Sequence, residues 1–294
     1  MRVGVGLPTT LPGMAGADVI EWARRADAGP FSSLGVLDRL VYAGYDPLIS
    51  LAAAAGVTRR VQLATTIIAG PLRSAALLAK SAASLDALSG GRLVLGLALG
   101  AREDDYAAAG VDYRARGRLF VEQLATLRNY WEDPGFGPAP AQPGGPPILV
   151  GGLSDLGFAR MARYADGYVH SGGPPKAFAR AADKARAAWS DAERPGRPQL
   201  WAQGYFAFGA NTEAGGAYLR DYYAFTGPFA EKIAAGLLTT PQALAGFIRG
   251  YAEAGCDELV LFPTVADLAQ LDELAEVLAG LGIGPRGTEA GGVE

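Results

Sequence analysis

The chain holds one histidine, His170, and one cysteine, Cys256, among 294 residues. A Ser-His-Asp relay would have to run through His170, and zinc sites built on two or three histidines are excluded. A lone thiol forms no internal disulfide and anchors no site of several thiolates. The local pattern with a ligand chemistry of its own is Gly151-Gly152-Leu153-Ser154, which follows a short apolar run and opens a helical stretch over 155–164. Free amides at a helix start, with Ser154 as cap, would cradle a phosphate; the same residues also read as a plain strand-to-helix turn. It is not a Walker loop, because Phe158 and Ala159 stand where Lys and Ser or Thr would follow the second glycine. Gly96-Leu97-Ala98-Leu99-Gly100 has the wrong spacing for a dinucleotide fingerprint.

These residues need a scaffold, and the composition supplies one. Half of the chain is hydrophobic and 19% is charged, enough for a large core and too apolar for a disordered protein. The 26 basic residues are mostly arginines, scattered through helical stretches, and the formal charge is −4, so no nucleic-acid footprint is expected. Residues 1–7 alternate like a strand and lack a signal-peptide pattern, and no apolar run is long enough for a bilayer. The expected location is cytoplasmic, without membrane partners.

Strands are expected at 2–7, 33–37, 61–68, 93–99, 148–150, 167–170, 200–208 and 258–262. Alternation with helices at 17–28, 46–55, 77–88, 114–131, 155–164 and 241–254 predicts an α/β fold, and eight strands close a (β/α)8 TIM barrel. The expected organisation is a single domain over 1–283, with insertions in the βα loops and an unstructured tail at 284–294. The segment 133–147, rich in Pro and Gly, is a surface loop, and 211–240 is an excursion carrying Tyr218, Tyr222, Tyr223, Phe225 and Phe229.

In such a barrel the site lies at the C-terminal ends of the strands. Those ends include Asp38-Arg39, Thr65-Thr66-Ile67, Gly151 to Ser154 and His170-Ser171-Gly172, and are mostly uncharged. With no carboxylate pair and no cluster of metal ligands, glycoside hydrolysis and metal-assisted hydrolysis lose weight. A site so poor in reactive groups points to a cofactor that supplies the chemistry.

From Val3 to about Leu278 the sequence resembles the bacterial luciferase-like flavin-dependent oxidoreductases. The resemblance is carried by Leu34-Gly35-Val36-Leu37-Asp38-Arg39-Leu40, Asp46-Pro47-Leu48, Arg60-Val61-Gln62-Leu63-Ala64-Thr65-Thr66 and Pro71-Leu72-Arg73. It continues in Leu85-Asp86-Ala87-Leu88-Ser89-Gly90-Gly91-Arg92-Leu93, Pro147-Ile148-Leu149-Val150-Gly151-Gly152 and Ala254-Gly255-Cys256-Asp257-Glu258-Leu259. What it implies is a TIM barrel whose mouth holds FMN or the deazaflavin F420, with the phosphate on Gly151, Gly152 and Ser154. In F420-binding relatives the third strand ends in a bulge with a non-proline cis peptide that backs the ring, here at Thr66-Ile67. Asp38 matches the family's acidic residue near ring or substrate, or else pairs with Arg39 as a structural ion pair. Many members carry a catalytic histidine beside that acid; Arg39 stands there instead. His170, expected to face the mouth, and the adjoining Ser171 complete the cofactor-binding candidates, with His170 and Asp38 the catalytic ones; a satisfied structural histidine is the alternative. Glu103, Asp104 and Tyr106 line the pocket, or the acidic run is a solvated helix start.

The resemblance implies either monooxygenation of a small organic substrate with reduced FMN and dioxygen, or F420-dependent reduction or dehydrogenation with hydride at C5. The missing histidine sets the first ahead. With FMN the mouth must be kept dry, a role that suits the aromatic excursion. Partners implied are a small-molecule substrate, a separate flavin or F420 reductase and a second copy in a homodimer; no metal is expected. The loop at 133–147 is shorter than the hairpin of many relatives, which implies a different substrate entrance. The rival readings are a non-catalytic flavin-binding protein and a flavin-free barrel enzyme on a phosphorylated metabolite.

Overall fold

The structure, a computed structural model, describes residues 1–284 and the backbone of 287–288. Its first half runs β1 (Arg2–Gly6), α1 (Gly16–Ala28), β2 (Ser33–Val36), α2 (Pro47–Val57), β3 (Gln62–Ala69), α3 (Ala75–Ser89), β4 (Leu93–Ala98), α4 (Glu103–Ala108) and α5 (Arg116–Glu132). There follow β5 (Ile148–Gly151), α6 (Asp155–Tyr164), β6 (Gly167–His170), α7 (Pro175–Asp191), β7 (Gln199–Phe206), α8 (Thr212–Tyr222), α9 (Phe229–Ala234), α10 (Pro241–Glu253), β8 (Glu258–Pro263) and α11 (Ala269–Gly280). Strands β1 to β8 pair in sequence order, all parallel, and β8 returns to β1, so the expected (β/α)8 barrel is closed.

Burial on both faces is why the strands read as continuous apolar runs. In β8 all six residues are buried, and the side chains still alternate between barrel interior and helical layer. Gly6 and Gly35 are small because Phe262 fills the space inside them; a Cβ on either would meet its ring. At the barrel floor the buried Glu258 accepts the Ser33 hydroxyl at 2.6 Å, accepts Ser32, and pairs with Arg2 at 2.9 Å. Burial pushes this carboxyl up, while Arg2 and the two serines pull it back.

The helices start where capping residues satisfy their first amides. Asp46 accepts from Leu48 and Ile49 ahead of Pro47 in α2, and Ser74 accepts from Leu77 in α3. Gly90 ends α3 at φ +71, a left-handed conformation that favours glycine.

The insertions lie in the βα connections after β4, holding α4, and after β7, holding α8 and α9. The 133–147 segment joins α5 to β5 and therefore belongs to the opposite, N-terminal end of the barrel. It does not line the mouth. The loop is held to the floor by Gln142, whose amide groups donate to Asp86 at 2.9 and 2.7 Å and to the Leu93 carbonyl at 2.8 Å. Of the tail expected to be unstructured from residue 284, Ile283–Gly284 pairs antiparallel with Gly287–Thr288, and the remainder lies outside the described residues. Among the described residues no helix is long and apolar enough to cross a membrane.

Candidate active site at the barrel mouth

Strand parity decides which side chains reach the mouth. On β7, Gly204 faces α10, where a Cβ would lie 2.9 Å from Phe247, so Trp201, Gln203 and Tyr205 face inward. The β6 register pairs Val169 with Trp201 and His170 with Ala202, which sends His170 outward. There its ring packs edge-on to Phe178 of α7 at 5.7 Å, and Nδ1 lies 3.1 Å from the Tyr168 hydroxyl. The expectation that His170 faces the mouth is corrected: it is 2% exposed, between barrel and helices. Burial pushes its pKa down to about 4, against the pull of the Gly172 backbone, so the ring is neutral near pH 7.

Asp38 does stand at the mouth, but its carboxylate is engaged. Arg73 grips it with both terminal nitrogens, at 2.6 and 3.0 Å, and the Ala69 amide donates to it at 3.0 Å. The partner is Arg73, not the adjacent Arg39. This pair ties the end of β2 to the turn after β3, and Arg73 reaches on to the Asp46 cap at 3.2 Å. Arg39 instead donates to the carbonyls of Tyr222 at 2.8 Å and Val41 at 3.0 Å, with its guanidinium 4.3 Å from the Tyr42 ring centre and 5.0 Å from that of Tyr222.

The third strand ends as the resemblance implied. Its register with β4 shifts between Thr65 and Ile68, and the Thr66-Ile67 peptide is cis. Thr66 lies against the inner side of Gly35, and Ile67 lies over Gly96 and Gly151, where added Cβ atoms would meet it at 3.1 and 2.8 Å. Ile67 and Gly151 are thus brought together. Beyond them Gly152 adopts φ +140, and Ser154 caps α6 by accepting the Gly157 amide at 3.1 Å. Residues 152–156 are exposed, so the start of α6 opens to solvent beside the mouth. The Ser171 carbonyl accepts Gln203 Nε2 at 3.0 Å, which places Ser171 on the opposite edge of the mouth from Asp38.

Residues that sequence reasoning missed complete the site: Gln203 and Tyr205 on β7, and Arg73 and Arg102 on the rim. The signal for the first two was parity, once Trp201-Ala202-Gln203-Gly204-Tyr205 is read as alternating sides. Tyr205 meets the hydroxyl of Tyr223, and Thr10 meets that of Tyr218 at 2.8 Å, so the aromatic excursion roofs the barrel. Tyr42 donates to Asp221 at 2.6 Å and stacks edge-on to Tyr222 at 5.1 Å. Burial raises the Tyr223 hydroxyl to about 12 and that of Tyr205 well above its ordinary value, so both stay protonated. The Glu103-Asp104-Asp105 run is solvated only in part. Glu103 and Asp104 are exposed, whereas Asp105 is buried and accepts the Val41 amide at 2.7 Å. Arg102 pairs with Asp104 and lies 3.6 Å from Asp105. Tyr106 is buried too, its hydroxyl donating to the Leu99 carbonyl.

The unpartnered polar atoms test whether a flavin-type group fits. Thr9 Oγ1, Gln203 Oε1 and Arg102 Nε are buried without hydrogen-bond partners among the described residues. They present acceptors and donors, as the pyrimidine edge of a flavin or deazaflavin requires, and the open start of α6 offers amides to a phosphate. The residues present fit. No group of three or more possible metal ligands occurs among the described residues. A groove of about 680 Å³ outside the barrel, between α6 and α7, is lined by Phe158, Ala162 and Ala188, with Asp155 at the start of α6 on its edge.

Eight parallel strands closed on themselves, with a glycine turn after β5, define an α/β-barrel protein. The luciferase-like monooxygenase family matches residues 1–257, and the chain belongs to that family. An uncharacterised protein of Mycobacterium tuberculosis is 33% identical over 192 residues, 53% of this chain and 66% of that protein, so just under two thirds of its length is spanned. Pyrimidine monooxygenase RutA of Escherichia coli is 31% identical over 169 residues, 50% of this chain and 45% of RutA. In fold the chain is similar to an F420-dependent secondary alcohol dehydrogenase in complex with an F420-acetone adduct, with TM-score 0.78, 17% identity and coverage of 95% and 98% of the two chains. Enzymes of the family use FMN or F420.

Proposed function

We propose that this protein is an FMN-dependent monooxygenase acting on a small organic substrate. The observation that carries the reading is the chemistry of the inward face: His170 points away, Asp38 is paired with Arg73, and apart from the rim arginines what remains is hydroxyls and an amide under a tyrosine roof. Such a mouth positions and desolvates but holds no free carboxylate or imidazole for acid or base work. When bound, reduced FMN supplies the activation of dioxygen. Gly151, Gly152 and Ser154 hold its phosphate, Thr66 and Ile67 back the ring, and Ser171 with Gln203 meets its polar edge. Tyr218, Tyr222 and Tyr223 exclude water from the reacting face. The likeness to RutA supports oxygenation. The β3 bulge favours a second reading, F420-dependent hydride transfer at the same place.

A separate reductase supplies the reduced cofactor, and a second copy of the chain covers α2 and α3. The deciding experiment titrates FMN and F420 side by side against the purified chain, followed by absorbance, and then measures oxygen uptake with the reduced complex. FMN binding with substrate-dependent oxygen consumption is expected. Binding of F420 alone moves the reading to hydride transfer, and FMN binding without turnover of any electrophile to a flavin carrier. If neither cofactor binds, the proposal fails and a phosphorylated metabolite becomes the ligand to test.

A further inference from the structure

We propose that Arg39 selects the substrate, taking a carboxylate of a molecule whose apolar body lies against Tyr42 and the exposed rim beside it. The inference deepens the oxygenase reading and rests on it for where the reacting ring lies. The three arginines at the mouth differ in how their charge is met. Arg73 is paired with Asp38 and Asp46, and Arg102 with Asp104 and Asp105. Among the described residues Arg39 has no carboxylate within ion-pair distance, only the carbonyls of Val41 and Tyr222, and its Nε is buried without a partner. Arg102 adds further positive potential, as Asp104 and Asp105 partly offset it. A half-buried guanidinium stays charged under these conditions, and its partial desolvation is best met by an anion with two oxygens in fork geometry.

The surroundings specify the rest of the molecule. The rings of Tyr42 and Tyr222 flank the guanidinium; Tyr222 is buried behind it, and the half-buried Tyr42 ring is the one a planar group bound there meets beside the cation. The rim outside them exposes Leu40, Val41, Tyr45 and Phe225, an apolar approach suited to an amphiphile. Because Arg39 donates to a carbonyl at the end of α8, an anion on it also engages the roof that closes the mouth.

The test compares benzoate with its neutral isostere benzamide by titration calorimetry, on the FMN-loaded chain and on the chain without FMN. The wild type is expected to prefer benzoate by about tenfold, the worth of one charge-assisted hydrogen-bonded pair. Arg39→Gln should remove the preference and leave FMN affinity unchanged. Arg39→Lys, which keeps the charge and loses the fork, should retain part of it and serves if the glutamine variant does not fold. Ser154→Ala should retain the whole preference, which separates Arg39 from the amides of α6. Equal binding of the two probes, no binding of benzoate, or a preference that survives Arg39→Gln overturns the assignment. Failure of FMN to bind strikes the oxygenase reading alone, because the two probes still compare on the chain without FMN.

Discussion

At Asp38 two charges leave water together. Its side chain is 2% exposed and that of Arg73 is 20% exposed, so each depends on the other for its solvation. Asp38→Asn should destabilise the fold by about 3 kcal/mol, the usual cost of leaving one member of a buried pair without its partner. Urea unfolding reads this, and a loss below about 1 kcal/mol would show that Asp46 alone suffices for Arg73. At His170 the effect is one of pH. Its folded pKa, about 4, lies below the ordinary 6.5, so the unfolded chain binds the extra proton first as acid is added. The neutral ring contributes stability fully above pH 6.5, and that contribution fades as pH falls through about 4, in all roughly 3 kcal/mol. Thermal melts of the wild type should therefore fall more steeply between pH 6.5 and 4 than those of His170→Gln; parallel curves would refute the assignment. The identities of these two residues were legible in the sequence, but their orientations were not. A strand buried on both faces carries no polar alternation to reveal its parity, and Arg73 lies 35 residues from Asp38.

The elements themselves were legible because each hydrophobic run was short, β-branched or Leu-rich, and followed by a helix that could cross back. All eight strands fall within two residues of their expected ends. What the pattern could not convey was which end of the barrel a loop occupies: 133–147 reads only as a surface loop, and it belongs to the floor. The turn between β5 and α6 is the element most open to test. Ser154→Ala removes the cap from Gly157 and should cost about 1 kcal/mol of stability. If the start of α6 holds the phosphate of FMN, the same change weakens FMN several-fold and leaves riboflavin, which has no phosphate, as before. Equal weakening of both, measured by fluorescence titration, would place the phosphate elsewhere.

On the scale of the whole molecule, the helical layer is unevenly finished. Most outer helices carry charged faces, yet α2 has no charged residue in its eleven, and α3 has only Lys80 and the buried Asp86. Ile49 on α2 is 73% exposed, and Leu77 and Leu88 on α3 are 69% and 75% exposed. Alanines between them leave the two helices smooth, so another pair of helices can approach closely. An apolar patch of this kind on neighbouring helices is more costly to leave in water than scattered exposed leucines. If the proposed second copy of the chain presents the same patch about a two-fold axis, it covers both at once. The double variant Ile49→Glu/Leu77→Glu should then sediment as a monomer while the wild type sediments as a dimer. Both positions point outward, so the variant should keep its far-ultraviolet circular dichroism. A wild-type monomer at micromolar concentration, or a double variant that remains dimeric, would remove α2 and α3 from the interface.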